Sequence, residues 1–218
     1  MPEATHEVEA RHLKQLAVMR GWLEGKGFYS AADALELVRT LEQGYRKDKV
    51  TPKFHHQLSV ARFVTTIIPH LMFPEETVIA ALLHDLLEDH SEWTVEMVAE
   101  RFGQRVADAV WALTKKHGGL VKSYESYFAA IALDPIASIV KPIDRGHNLQ
   151  TMQGVFTLEK QAAYVTEVDT YFFPLIRASR RRFNRQYPAY ENIKILLRCQ
   201  TRLIRYIHEA AQSLVAPQ

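Results

Sequence analysis

The sequence predicts an all-α fold. Apolar residues recur at helical spacing along nearly the whole chain, β-branched runs are short, and no Asn-Gly or Asp-Gly hairpin signal occurs. Residues 5–24 read as a first helix ended by the Gly25-Lys26-Gly27 turn, and Ser30 is placed to cap a second helix reaching about Arg46. Arg46 to Phe54 reads as a loop, with Thr51-Pro52 extended because a residue before proline is biased away from helix. A third helix is expected from about His55 to Ile68, just before Pro69. The next starts near Pro74-Glu75-Glu76, where proline and negative charge suit a helix start. Thr94 is placed to cap a further helix, which Gly103 separates from another reaching about Leu113. Lys115 to Ser123, with Gly118-Gly119 inside it, reads as a mobile basic loop. Helices near 124–132, 135–150, 157–186 and 189–214 complete a compact bundle, with Pro188 separating the last two.

With 47% hydrophobic composition, 218 residues suffice for one substantial core, so a single domain over residues 1–218 is expected. Its parts are N-terminal helices at 1–45, a core at 46–186 and a C-terminal helix at 187–218. The 27 lysines and arginines against 25 acidic residues leave a net charge of +2, so nucleic-acid binding through the whole-protein field is not expected. The first twenty residues alternate charged and apolar side chains, and no stretch approaches the ~18 apolar residues of a spanning helix, so neither a secretory signal nor a membrane partner is expected. Cys199 is the single cysteine, which excludes an intramolecular disulfide and a cysteine-based zinc site and makes the cytoplasm the expected location.

The run AALLHDLLEDH sets His84, Asp85, Glu88 and Asp89 inside an otherwise apolar stretch. On one continuous helix, residues one and four apart sit about 100° and 40° apart, so His84 and Glu88 share a face beside Asp85 and Asp89. Buried carboxylates repel and are costly without a partner, and a divalent cation is the simplest partner. Further ligand-type residues stand in His55-His56 and in VKPIDRGHNLQTM, where Asp144 and Asn148 are four apart on one face. Imidazoles and carboxylates without thiolate suit Mn²⁺, Fe²⁺ or Zn²⁺ better than Ca²⁺ or Mg²⁺.

The ordered set of His56, HDLLED at 84–89 and IDRGHNLQTM at 143–152 resembles the HD-domain phosphohydrolases. The resemblance covers roughly residues 40–185 and is closest to the alarmone (ppGpp) hydrolase branch of the Rel and SpoT proteins and the small metazoan-type hydrolases. It implies Mn²⁺ held by His56, His84, Asp85 and Asp144, with Glu88 and Asp89 acting on the attacking water and the phosphate, and either carboxylate as the primary base. It implies hydrolytic removal of the 3′-pyrophosphate from a guanosine 3′,5′-bispolyphosphate. Arg46 and Lys47 resemble the basic pair that contacts the nucleobase, and Asn148, Thr151 and Tyr164 match positions lining the nucleoside pocket. Lys115, Lys116 and Lys122 are candidates for the phosphates. The synthetase and regulatory segments of the Rel proteins find no room in 218 residues, so a hydrolase-only protein is expected.

The chain departs from the family at Pro142 and Gly146, giving KPIDRGHN where KLADRLHN is usual. Proline removes a helix hydrogen bond and glycine costs roughly 1 kcal/mol against alanine, so the helix is expected to start near Pro142 or to bend there. An HD phosphatase acting on NADPH or an RNA 3′ end, and a non-catalytic nucleotide-binding or antitoxin-type module, are the competing expectations. His55 reads as structural, His90, His117 and His147 as ordinary polar or capping residues, and Cys199 as a small buried hydrophobe. The arginine-rich run from Arg177 to Arg185 reads as a solvated helix end, and the cluster Tyr171-Phe172-Phe173 as core or interface packing, leaving a homo-oligomer open.

Overall fold

A computed structural model describes the backbone of residues 2–215 and the side chains of residues 10–213. Twelve α-helices and one two-residue hairpin are seen among the described residues. The all-α expectation therefore holds, with a small exception at the hairpin.

α1 (Pro2–Gly25) and α2 (Tyr29–Leu41) pack together at the N-terminal side. α2 departs from expectation at both ends. It starts at Tyr29 after Phe28, with no side-chain cap from Ser30, and stops at Leu41 rather than near Arg46. The stop follows from Glu42, which is buried against His90, and from Gly44 in the left-handed region at φ 85°. Residues 42–54 are thus free to form an irregular arm, closed by a bridge between Tyr45 and Pro52.

α3 (His55–Thr66), α4 (Pro74–Leu83) and α9 (Ala137–Thr151) form the centre, and α4 also touches α2 and α7 (Gln104–Leu113). Every residue of α4 from Thr77 to Leu83 is buried, as its apolar circumference requires. The helix does not continue through the acidic motif. His84 and Asp85 form a turn, and a short α5 (Leu86–Asp89) begins after it. α6 (Val95–Phe102) is capped by Thr94, whose hydroxyl accepts from the Met97 N–H, and Gly103 at φ 89° separates it from α7.

The expected mobile loop after α7 is an antiparallel hairpin, β1 (Lys116–His117) with β2 (Leu120–Val121). Gly118 and Gly119 both take positive φ, as a tight two-residue turn requires. Two of the three lysines in this segment are tied down. Lys115 lies over the Tyr124 ring and Lys122 donates to the Trp111 carbonyl while covering its ring.

After α8 (Tyr124–Leu133), α9 runs from Ala137 to Thr151 with Pro142 inside it, so it neither starts at that proline nor stops there. The helix expected over 157–186 is divided. α10 (Leu158–Glu167) passes through a π-helical turn at Val168–Phe172 into α11 (Phe173–Arg182). α12 (Tyr187–Val215) closes the bundle and packs along α9. Cys199 on α12 is exposed, contrary to the expectation of a buried hydrophobe, because α12 buries only the side carrying Ile193, Leu197 and Ile204.

Candidate metal centre and cleft

His56 opens α3, His84 and Asp85 occupy the turn after α4, and Asp144 sits mid-way along α9. Neighbouring side chains on a regular helix diverge by about 100°, so an unbroken helix would point His84 and Asp85 apart. The turn instead brings His84 Nε2 within 3.0 Å of Asp85 Oδ2. His56 Nε2 lies 3.1 Å from His84 Nε2 and 3.1 Å from Asp144 Oδ1. His84 Nε2 lies 3.7 Å from Asp144, so His56, His84 and Asp144 each offer a donor atom within 4.8 Å of the others, and Asp85 stands at the edge of this trio, 3.9 Å from His56 Nε2.

The donor set fits a divalent transition metal. Bonds of about 2.0–2.2 Å from nitrogen and oxygen ligands set neighbouring donors roughly 3 Å apart. The tautomers agree. His84 Nδ1 is 2.8 Å from the Ala81 carbonyl, which only accepts, so Nδ1 carries the hydrogen and the neutral ring turns a lone pair on Nε2 toward the cluster. His56 Nδ1 is 2.8 Å from His147 Nδ1, and with His56 Nε2 turned to the metal position, His56 donates and His147 accepts. His147 is pushed down to about 3 by burial, then by the charges of His56 and Arg46, which keeps it a neutral acceptor.

The electrostatics point the same way. Burial opposes a charge on His84, yet Asp85 and Asp144 lift it to about 9. Burial likewise opposes ionisation of Asp85, and His84 brings it down to about 2. Without metal, a proton on His84 supplies the positive charge that this pocket is built around. Asp144 is held well below the carboxylate range despite burial, chiefly by Lys141, whose Nζ sits 2.8 Å from Oδ2. Asn148 Nδ2 donates to the other oxygen at 2.7 Å, and its own carbonyl oxygen lies 3.4 Å from Arg46 Nη2.

Of these groups His56, Asp85, His147 and Asn148 line a cleft of about 410 Å³, and His84 and Asp144 are buried behind them. Arg46, Lys47, Asn148, Thr151 and Tyr164 all line it, together with Asp85, Asp89, His56 and Phe156. The Lys47 ammonium lies 5.1 Å from the Phe156 ring, which meets Tyr164 edge to face. The two acidic residues of α5 part company. Asp89 faces the cleft, and burial followed by the charges of Asp85 and Glu42 raises its pKa. Glu88 turns to the hairpin, where it accepts from the Lys115 backbone N–H, so the four motif residues do not converge on one pocket.

Sequence reasoning passed over Lys141 and read His147 as an ordinary polar or capping residue, whereas its ring meets the Nδ1 of His56. Both stand three residues from Asp144, one turn to either side, so the helical spacing that pairs Asp144 with Asn148 marks them too. His90 and His117 keep the modest roles expected, bonded to Glu42 and to the Leu87 carbonyl. The His55 ring meets His12 at 4.1 Å in a tilted arrangement and is not a member of the donor cluster.

The family model described as HD domain matches residues 34–181. The chain belongs to the HD-domain family. It is 37% identical over 140 residues to a guanosine-3′,5′-bis(diphosphate) 3′-pyrophosphohydrolase of Aquifex aeolicus, covering 62% of this chain and 19% of that protein. A Haemophilus influenzae protein of the same name is 29% identical over 147 residues, covering 64% and 21%. A probable GTP pyrophosphokinase of Mycobacterium leprae is 28% identical over 193 residues, covering 79% and 24%. The chain thus spans about a fifth to a quarter of the length of these curated relatives.

Proposed function

We propose that this chain is a metal-dependent hydrolase that removes the 3′-pyrophosphate from guanosine 3′,5′-bispolyphosphates, giving GDP or GTP and pyrophosphate. The observation that carries this reading is the donor trio of His56, His84 and Asp144, with Asp85 beside it, reached through His56 and Asp85 from a cleft lined by Arg46, Lys47, Asn148 and Tyr164. The relatives' names cover both hydrolysis and pyrophosphate transfer, and the HD domain of this chain favours the hydrolytic reading.

Two imidazoles and two carboxylates without thiolate suit Mn²⁺, Fe²⁺ or Zn²⁺, and the resemblance to the alarmone hydrolases makes Mn²⁺ the ion proposed. Such a cation, when bound, stabilises charge on phosphoryl oxygens and makes water a usable nucleophile near neutral pH. The chain's own residues do the rest. Arg46 stacks on the base, a role its planar cation suits, and Asn148 links Arg46 to Asp144 so that base binding and metal geometry share one side chain. Lys47, Thr151 and Tyr164 complete the nucleoside wall. Asp89, with its raised pKa, takes the proton of the attacking water and returns it to the 3′ oxygen as the phosphorus–oxygen bond to that oxygen breaks. Glu88 fixes the hairpin beside the cleft. Residues 1–218 act as one domain in this reading.

Purified full-length chain loaded with Mn²⁺ is expected to convert ppGpp to GDP and pyrophosphate, followed by anion-exchange chromatography. Asp89→Asn is expected to lower kcat about 10²- to 10⁴-fold, the usual worth of an acid–base group, with metal content by elemental analysis unchanged. Glu88→Gln keeps an acceptor for Lys115 and should cost less. Hydrolysis of NADPH or RNA 3′ ends with ppGpp untouched would remove the substrate assignment and leave the metal centre standing. Tight ppGpp binding without turnover would favour a nucleotide-sensing module.

A further inference from the structure

Residues 173–206 carry nine lysines and arginines against a single acid, Glu191, a net charge of +8 in a chain whose total is +2. The remaining residues therefore sum to −6, so the charge is strongly polarised toward α11 and α12. Arg180 and Lys194 share Glu191, and Arg205 pairs with Asp169. Arg177, Arg181, Arg182, Arg185, Arg198 and Arg202 are exposed and have no ion pair among the described residues.

α12 adds a second feature. A helix on a protein surface normally turns a polar face to water. Here Ile195, Leu203 and Tyr206 are 57%, 59% and 69% exposed, with Cys199 exposed between them. Spacings of four, four and three residues place the four side chains in one stripe. Arg198, Arg202 and Arg205 follow along its edge, at spacings of four and three.

We propose that this α11–α12 face docks on an anionic phospholipid surface. A second copy of the chain would cover the apolar stripe but would set one +8 surface against another. A nucleic acid would satisfy the arginines and leave Ile195 and Leu203 in water. A bilayer of acidic lipids takes both, with guanidinium groups on headgroup phosphates and the aliphatic stripe at the acyl boundary. The unpaired arginines lie on two helices, so the negative partner extends in two dimensions, which separates a lipid surface from a single acidic helix. No helix among the described residues is long and apolar enough to cross a membrane, and the expectation of no membrane partner rested on that absence. Lying on a membrane is a different mode, which needs no span.

The test is flotation of the metal-loaded full chain with vesicles of phosphatidylcholine, alone or with one third phosphatidylglycerol, in low and high salt. Binding at least about tenfold stronger to the anionic vesicles is expected, and high salt should abolish it. Arg177→Glu with Arg181→Glu, and separately Ile195→Asn with Leu203→Asn, should each lose most of that binding while melting temperature and ppGpp turnover stay unchanged. The lipid and salt dependence of the wild-type chain decides the matter even if a variant fails to fold. The proposal is overturned by no flotation with the anionic vesicles, by equal binding to neutral ones, or by binding of single-stranded RNA in place of vesicles. A solution dimer that shields Cys199 from maleimide would overturn it in favour of a second copy.

Discussion

At the scale of single residues, the metal position depends on which imidazole nitrogen carries a hydrogen. The Ala81 carbonyl settles this for His84, and for His56 a hydrogen on Nδ1, donated to His147, goes with an Nε2 turned to the metal position. Partners of this kind typically govern metal affinity by about 10- to 100-fold. His147→Phe is therefore expected to weaken Mn²⁺ binding by that range, measured by chelator competition at fixed pH, while His147→Asn, whose carbonyl oxygen accepts, recovers part of it. Unchanged affinity in His147→Phe would mean that packing alone orients His56. Lys141 answers a different need. Buried Asp144 would be costly as a lone anion, and the ammonium 2.8 Å away lets it stay ionised before any cation arrives.

At the scale of elements, two local departures from regular helix make the site. The turn at His84-Asp85 ends α4 where its apolar circumference ends, and so aims two successive side chains at one point. Gly146 solves a packing problem on the opposite side of α9. A Cβ there would lie 2.9 Å from Leu196 Cδ2 on α12, so the glycine admits close approach of the last helix. The family's leucine at this position and Leu196 cannot share that space. Gly146→Leu is accordingly expected to destabilise the chain by about 1–3 kcal/mol in denaturant unfolding, as overpacking does, and adding Leu196→Ala should return much of the loss. A neutral Gly146→Leu would show that α12 moves away freely.

At the scale of the whole molecule, the donors come from three parts of the chain far apart in sequence, so a cation that binds only the folded state stabilises the entire bundle. At about 100 times its Kd the gain is about 2.7 kcal/mol. The pH dependence has a definite sign. His84 titrates at about 9 in the folded chain against an ordinary 6.5, so the stability contributed by its proton is complete below pH 6.5 and is lost as pH rises through 9. Metal binding displaces that proton and strengthens over the same interval. The melting temperature of metal-free protein should therefore fall between pH 6.5 and 9 while the increment from Mn²⁺ grows, and His56→Ala should abolish the increment. A constant increment across that window would place the proton elsewhere.

The sequence by itself determined the helical class, because a 3.6-residue apolar period is a local property that survives without knowledge of the neighbours. Through the resemblance that their types and order carry, it also marked His56, His84, Asp85 and Asp144 as candidates. Helix ends were less legible. The second helix looked as if it reached Arg46 and Gly118-Gly119 looked like a loose loop, but burial of Glu42 against His90 and pairing of Lys116 with Val121 set the actual boundaries. Only the tertiary structure decided that Glu88 turns to the hairpin while Asp89 faces the cleft, that Lys141 and His147 support the donors, and that Cys199 is exposed. The physical reason is common to all of these. A short segment fixes which side chains share a face, whereas long-range packing fixes which face meets the core, the cleft or water.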